Sequence, residues 1–162
     1  MGGSEAVTRR RIQVRAGGPD DEAFVLATVG RLADFDTPPW RTQREIWEGE
    51  ARTLRDWFAG VAPGALLVAE ADGAPAGFVF LERQTDYFTG EAHGHVGIIA
   101  VASEAEGMGA GRALLEAAER WARGQGDSRL TLNVFERNTR ARRVYERLGF
   151  EVETLRYVKR LS

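Results

Sequence analysis

Apolar residues along this chain recur with two alternating periods, about two and about 3.6, and Gly or Pro marks most of the switches. That pattern predicts short strands and amphipathic helices interleaved in one unit. Residues 12–15 form a β-like run, and Asp20 or Asp21 can cap a helix carrying Phe24, Val25, Ala27, Thr28, Arg31 and Leu32. Pro38 and Pro39 then force an extended loop that runs into Trp40. A second helix, about 41–58, sets Ile46, Leu54, Trp57 and Phe58 on one side and stops near Gly60.

The middle of the chain is strand-rich. Residues 65–71 and 76–83 flank Asp72-Gly73, a hairpin signal, and 94–101 reads as a buried strand. From Gly109 the period turns helical, with Ala110, Ala113, Leu114, Ala117, Ala118, Trp121 and Ala122 on one stripe and Gly124 as the stop. A strand follows over 129–135, then a helix capped by Asn138 that bears Ala141, Val144, Tyr145 and Leu148 and ends at Gly149. Residues 150–161 return to a β-like pattern. The strand-helix-strand order of the second half requires at least one parallel pair. The fold class expected is α/β of the α+β type, a mixed and mostly antiparallel sheet flanked by helices. Residues 1–11 are expected to be a disordered tail and 12–162 a single domain.

Charge and composition narrow the chemistry. Among 162 residues, 22 Lys and Arg against 24 Asp and Glu give a net charge of −2, so no bulk positive field attracts a polyanion and no nucleic-acid partner is expected. The absence of cysteine removes disulfides, thiolate metal sites and a cysteine nucleophile together. With two histidines, no metal site is expected. Arg9, Arg10 and Arg11 precede no apolar stretch of signal-peptide length, and the longest apolar run, 96–102, is far short of a bilayer span. A cytoplasmic protein without a membrane partner is expected.

The sharpest motif is Glu106-Gly107-Met108-Gly109-Ala110-Gly111-Arg112, a glycine-rich turn between a buried strand and a strongly amphipathic helix. Glycine permits backbone conformations that let several N–H groups converge, and a helix N-terminus adds a positive dipole end. The turn therefore suits phosphate, with Arg112 as a charged donor. It lacks the Gly-Lys-Ser/Thr of a Walker loop. It also lacks dinucleotide-fold spacing, because position 112 is Arg and residues 102–106 separate the glycines from the strand.

Two segments carry a resemblance to a known family. Ile99-Ala100-Val101 followed by the glycine-rich turn resembles the acetyl-CoA motif of the GCN5-related N-acetyltransferase (GNAT) superfamily, and the stretch from Asn138 through Ala141 and Tyr145 to Gly149-Phe150 resembles its second signature. The resemblance covers nearly the whole chain. It implies acetyl-CoA as co-substrate, held by Ile99, Ala100, Val101, Gly107, Met108, Gly109, Ala110, Gly111, Arg112, Asn138 and Ala141. It also implies acetyl transfer to a primary amine by direct attack in a ternary complex; the rival is a catalytically silent acyl-CoA-binding module of the same fold. Homodimers are common in the family. Glu106 departs from the pattern, standing where the family has Arg or Gln, and is expected to point away from a diphosphate.

The resemblance implies Tyr145 as the acid for the departing thiolate, although its place on an apolar stripe suits a core residue equally. For the base, the family commonly has a carboxylate or histidine at the position of Gly97. His95, two residues earlier, is the preferred base, acting through water; Glu91, Glu82 and Asp86 are the carboxylates that could take the role instead, and a purely structural histidine is the competing reading. The acceptor amine, on a small molecule or a peptide, is expected to meet Asp36, Trp40 and Tyr87, since aromatic walls with a carboxylate suit a cation.

Overall fold

The computed structural model describes residues 11–162; the tail expected over 1–11 lies outside the described residues except for Arg11. Arg11 donates its N–H to Asp72 Oδ1 at 3.0 Å and accepts from the Asp72 N–H at the same distance.

Five strands form one sheet in chain order: β1 (Ile12–Ala16), β2 (Ala65–Ala71), β3 (Ala74–Thr85), β4 (Ala92–Val101) and β5 (Leu130–Leu132). The first three pairings are antiparallel and β4 with β5 is parallel, as the strand-helix-strand order requires. Four helices cover the sheet: α1 (Glu22–Thr28), α2 (Gln43–Phe58), α3 (Ala110–Gly124) and α4 (Thr139–Arg147). Short 3-10 turns lead into α1 and extend beyond it to Ala33. Asp21 leads α1, as the sequence suggests, and its carboxylate accepts from the Gly18 N–H while pairing with Arg15 at 2.8 Å. The second helix begins two residues later than expected. Thr42 and Glu45 form a reciprocal capping box there, satisfying two N–H groups at its start.

The sheet buries both faces. Val25, Leu54, Leu66, Val68, Phe78, Phe80, Ile98 and Ala100 pack beneath α1 and α2, while Val79, Leu81, Val96, Leu114, Leu115 and Ala118 pack against α3. One irregularity shapes the site. The β3–β4 register jumps from Phe80↔Ile98 to Leu81↔Val96, leaving Gly97 as an extra, bulged residue. A bulge reverses which face the residues beyond it occupy. His93 and His95, opposite Gln84 and Glu82, therefore share the α1/α2 face with Ile98 and Ala100, whereas unbroken alternation would have put them on the α3 face.

Two expected elements differ. The strand expected over 129–135 is only Leu130–Leu132, paired to residues 94–96 of β4, because the chain then leaves the sheet and turns toward Asn138. The β-like pattern of 150–161 forms no strand: beyond Phe150 the chain is exposed and makes no backbone hydrogen bond to the described residues. Propensity supplies no partner, and a strand exists only where another strand accepts its hydrogen bonds.

Candidate active site

Because β5 pairs with β4 only as far as Val96, residues 98–101 of β4 are bonded to β3 on one side and, among the described residues, open on the other, with Gly97 the bulge between. The sheet is thus split at its carboxyl end. Ile99, Ala100 and Val101, expected to line a cofactor, occupy this open segment. The glycine-rich turn follows after a 3-10 turn over residues 103–105. Gly107 and Gly109 adopt φ of 74° and 88°, the left-handed region where a side chain is strained, and Gly109 is the N-cap of α3. Among the described residues no side chain caps this helix, and its ladder starts with the Ala113 N–H donating to the Gly109 carbonyl at 3.0 Å. The amides of the first turn and the dipole end therefore face outward as an anion cradle. A cleft beside it is lined by Arg112, Val144, Arg147 and Leu148, bringing α3 and α4 together around two guanidinium groups.

Glu106 is committed elsewhere. Its carboxylate pairs with Arg31, and at 3.3 Å with Arg140, so its charge is met by two cations. Arg31 also donates through Nε to the Val101 carbonyl at 3.3 Å, tying the turn to the end of β4.

On α4, Asn138 Oδ1 accepts from the Ala141 N–H at 3.3 Å, the cap expected from sequence. Tyr145 is half-buried, packs edge-on against Phe150 with ring centroids 5.9 Å apart, and makes no hydrogen bond through its hydroxyl among the described residues. Burial pushes its pKa up, which keeps the proton on the phenol near neutral pH.

The α1/α2 face at the split holds a polar cluster. Thr131 Oγ1 lies 2.8 Å from His95 Nδ1 and 3.1 Å from His93 Nε2, and both rings are buried. His93 Nδ1 is buried without a hydrogen-bond partner among the described residues. Burial, then the neighbouring His93, holds His95 below the ordinary histidine range, so the ring is neutral at pH 7. Glu82, opposite His95 in register, reaches toward the bulge: a Cβ placed on Gly97 would stand 2.7 Å from Glu82 Oε2. Glu50 of α2 faces Glu82, and burial followed by the Glu82 charge pushes its pKa up.

Glu50 and Thr131 were not among the sequence candidates. A signal for Glu50 was present, since it lies four residues from both Ile46 and Leu54 and so stands on the apolar stripe of α2. Thr131 carries no such mark. Its role follows from the parallel register His95↔Thr131.

The expected acceptor residues are not brought together. Asp36 pairs with Arg137, which also donates to the Thr37 carbonyl at 3.2 Å, and Phe35 packs on Phe135, so the loop after α1 closes on the segment after β5. Trp40 is exposed on that loop. Tyr87 stands exposed at the far tip of the β3–β4 hairpin, against Phe88 alone among aromatic rings. Asp86 and Glu91, carboxylates considered for the base, belong to this tip, where Asp86 accepts from the Thr89 N–H and pairs with Arg129. Among the described residues no group of three or more His, Asp or Glu is arranged to hold a metal ion, and no helix is long and apolar enough to cross a membrane.

A split sheet with an anion cradle at the end of the strand beside the split defines a class of α/β domain, and the relatives of this chain identify it. A family model described as Acetyltransferase (GNAT) family matches residues 30–150. The chain belongs to that family. It is 35% identical over 145 residues to a mycothiol acetyltransferase of Stackebrandtia nassauensis, and 33% identical over 148 residues to one of Saccharomonospora viridis. Those alignments cover 86% and 89% of this chain but 44% and 47% of the relatives, so the chain spans less than half of their length. Among solved structures, a putative acetyl transferase from Pyrococcus furiosus superposes with a TM-score of 0.73 at 22% identity, covering 93% of this chain and all of the other. Aminoglycoside N-acetyltransferase AAC(6')-Iy in complex with CoA gives 0.65 at 20% identity, covering 94% and 97%. These likenesses establish the same fold.

Proposed function

We propose that this chain transfers an acetyl group from acetyl-CoA to a primary amine on a small molecule or a peptide, by direct attack in a ternary complex. The observation that carries this reading is the open segment 98–101 of β4 ending in an uncapped, glycine-rich helix start, with Tyr145 on the neighbouring α4. The residues fit the co-substrate: the first-turn amides of α3 with Arg112 suit a diphosphate, and the open backbone of Ile99, Ala100 and Val101 suits an extended, amide-bearing arm. Met108 in the glycine-rich turn and Ala141 in the first turn of α4 are assigned to the same co-substrate by the family resemblance. Bound acetyl-CoA supplies an acetyl carbon activated as a thioester.

The rest is the protein's work. An alkylamine has a pKa near ~10.4 and must lose a proton to attack. His95 is neutral at pH 7, is oriented through Nδ1 by Thr131, and leaves Nε2 without a partner among the described residues, so it suits the base, directly or through one water. A backbone N–H on the open edge of β4 meets the carbonyl oxygen as negative charge builds there. The Tyr145 phenol, kept protonated by burial, returns a proton to the departing sulfur. A second reading of the base rests on a specific contact: Glu82 fills the space beside Gly97 where the family commonly bears a carboxylate or histidine.

The test is release of CoA thiol across a panel of amines, with Tyr145→Phe as control. Turnover on at least one amine, strongly reduced in the variant, is the expected result. Binding of acetyl-CoA without turnover on any amine would favour the catalytically silent module.

A further inference from the structure

Two ring nitrogens on the α1/α2 face have no hydrogen-bond partner among the described residues, and they differ in kind. His93 Nδ1 is sealed: its residue is 7% exposed, and no other buried side-chain nitrogen or oxygen among the described residues is left unpaired. His95 Nε2 is equally unpartnered but does not belong to that sealed class, so it meets solvent. The remaining nitrogen of each ring reaches one shared atom: Thr131 Oγ1 lies 2.8 Å from His95 Nδ1 and 3.1 Å from His93 Nε2. The three side chains form a single line of hydrogen bonds with an open end at His95 and a closed end at His93.

Proton counting makes this line directional. A hydroxyl has one proton to donate, and a neutral imidazole carries one N–H and one bare nitrogen. Thr131 can serve both rings only by accepting from one and donating to the other, and this ties their tautomers together. In one direction His95 Nδ1–H donates to Thr131, whose hydroxyl donates to His93 Nε2. His95 Nε2 is then bare, and His93 carries its proton on the sealed Nδ1. In the reverse direction His93 Nε2–H donates to Thr131, the hydroxyl donates to His95 Nδ1, and His95 presents an N–H at the open end, where it cannot take a proton from an amine.

We propose that His93, acting through the Thr131 hydroxyl, is the positioning residue that holds His95 in the tautomer with Nε2 bare. The direction rests on the reading of His95 as the base. His93 is the sink for the Thr131 proton; without it that proton turns to His95 Nδ1 and disarms the ring. As the amine nitrogen bonds to the acetyl carbon and the carbon–sulfur bond breaks, the amine proton goes to His95 Nε2, and the imidazolium keeps its Nδ1–H on Thr131. The charge stays at the open end, because His93 has no carboxylate partner among the described residues to balance it. A donor sealed without an acceptor opposes folding, so the His93 ring serves the site at the expense of the core.

The test is a two-bond 1H–15N spectrum of the full chain at pH 8, in which the two histidines give four ring nitrogens to read. Expected is a protonated Nδ1 and a bare Nε2 on both rings. His93→Phe keeps a ring and deletes the acceptor. It should move the His95 proton to Nε2 and lower kcat at least about tenfold, with the CoA dissociation constant within about twofold and no loss of melting temperature. Thr131→Val should also abolish the Nδ1 preference of His95 and Thr131→Ser restore it, which carries the reading if His93→Phe does not fold. A parent His95 protonated on Nε2, or a His93→Phe variant whose His95 keeps its Nδ1 proton, overturns the proposal. A flipped tautomer with undiminished kcat supports the coupling and removes His95 from the base role, so failure of the one is told apart from failure of the other.

Discussion

The carboxylate of Glu82 stands in the space that a side chain on Gly97 would fill, Oε2 lying 2.7 Å from the position of a Cβ there. A strand bulge and a missing side chain on β4 together admit a carboxylate from β3. Two basic groups, His95 and Glu82, therefore flank the open segment, and single substitutions separate them. His95→Gln is expected to lower kcat/KM by ~10²–10⁴, the usual range for losing a general base, and Glu82→Gln by less than about tenfold. The opposite order in steady-state kinetics hands the base role to Glu82.

Gly97→Ala probes the same contact without touching a charge. The far end of Glu82 can swing aside, so the variant should unfold within a few degrees of the parent while displacing the carboxylate. Raised KM for the amine with unchanged CoA affinity is the expected signature, measured by calorimetry beside kinetics.

His95 gives the pH dependence its sign. Its folded-state pKa lies below the ordinary value of ~6.5, so in mild acid the unfolded chain takes up a proton that the native ring refuses. Stability falls as pH drops through the unfolded histidine pKa, and activity falls where the native ring finally protonates, at lower pH. Denaturant melts from pH 7.5 to 5.5 should show the loss, and His95→Gln should flatten it. The variant must also keep its far-UV spectrum.

Tyr145→Phe keeps the ring contact with Phe150 and removes the phenol proton. A fall of ~10–10³ in kcat with the CoA dissociation constant within about threefold is expected, together with loss of the alkaline limb of the rate profile. Equal losses of binding and turnover would make Tyr145 a packing residue.

Glu106 holds Arg31 and Arg140 on its carboxylate beside the anion cradle. Glu106→Gln removes the negative charge and frees both guanidinium groups, so CoA should bind severalfold more tightly, by less than about 1 kcal/mol for such exposed charges. Calorimetric titration at low and high salt checks this. Weaker binding by the variant would mean that the carboxylate itself serves the site.

Much of the fold was written in the chain's periodicity. The stripe from Ala110 to Ala122, the Asp72-Gly73 turn and the Asn138 cap are local features, and each appears where the sequence places it. The glycines at 107 and 109 likewise announced the turn, because a positive φ is a local demand that few other residues meet.

What the sequence by itself determined is therefore most of the elements, the place of the glycine-rich turn and the titratable residues available. Tertiary structure alone decided their partners. The bulge at Gly97, invisible to alternation, moved His95 across the sheet; the parallel register supplied Thr131; and α2 brought Glu50 to Glu82. Asp36 went to Arg137, and the strand-like residues after Phe150 found no edge within their own chain. The reason is physical: periodicity reports which face a residue prefers, whereas hydrogen bonds and charges report neighbours that only the folded chain brings within a few ångströms.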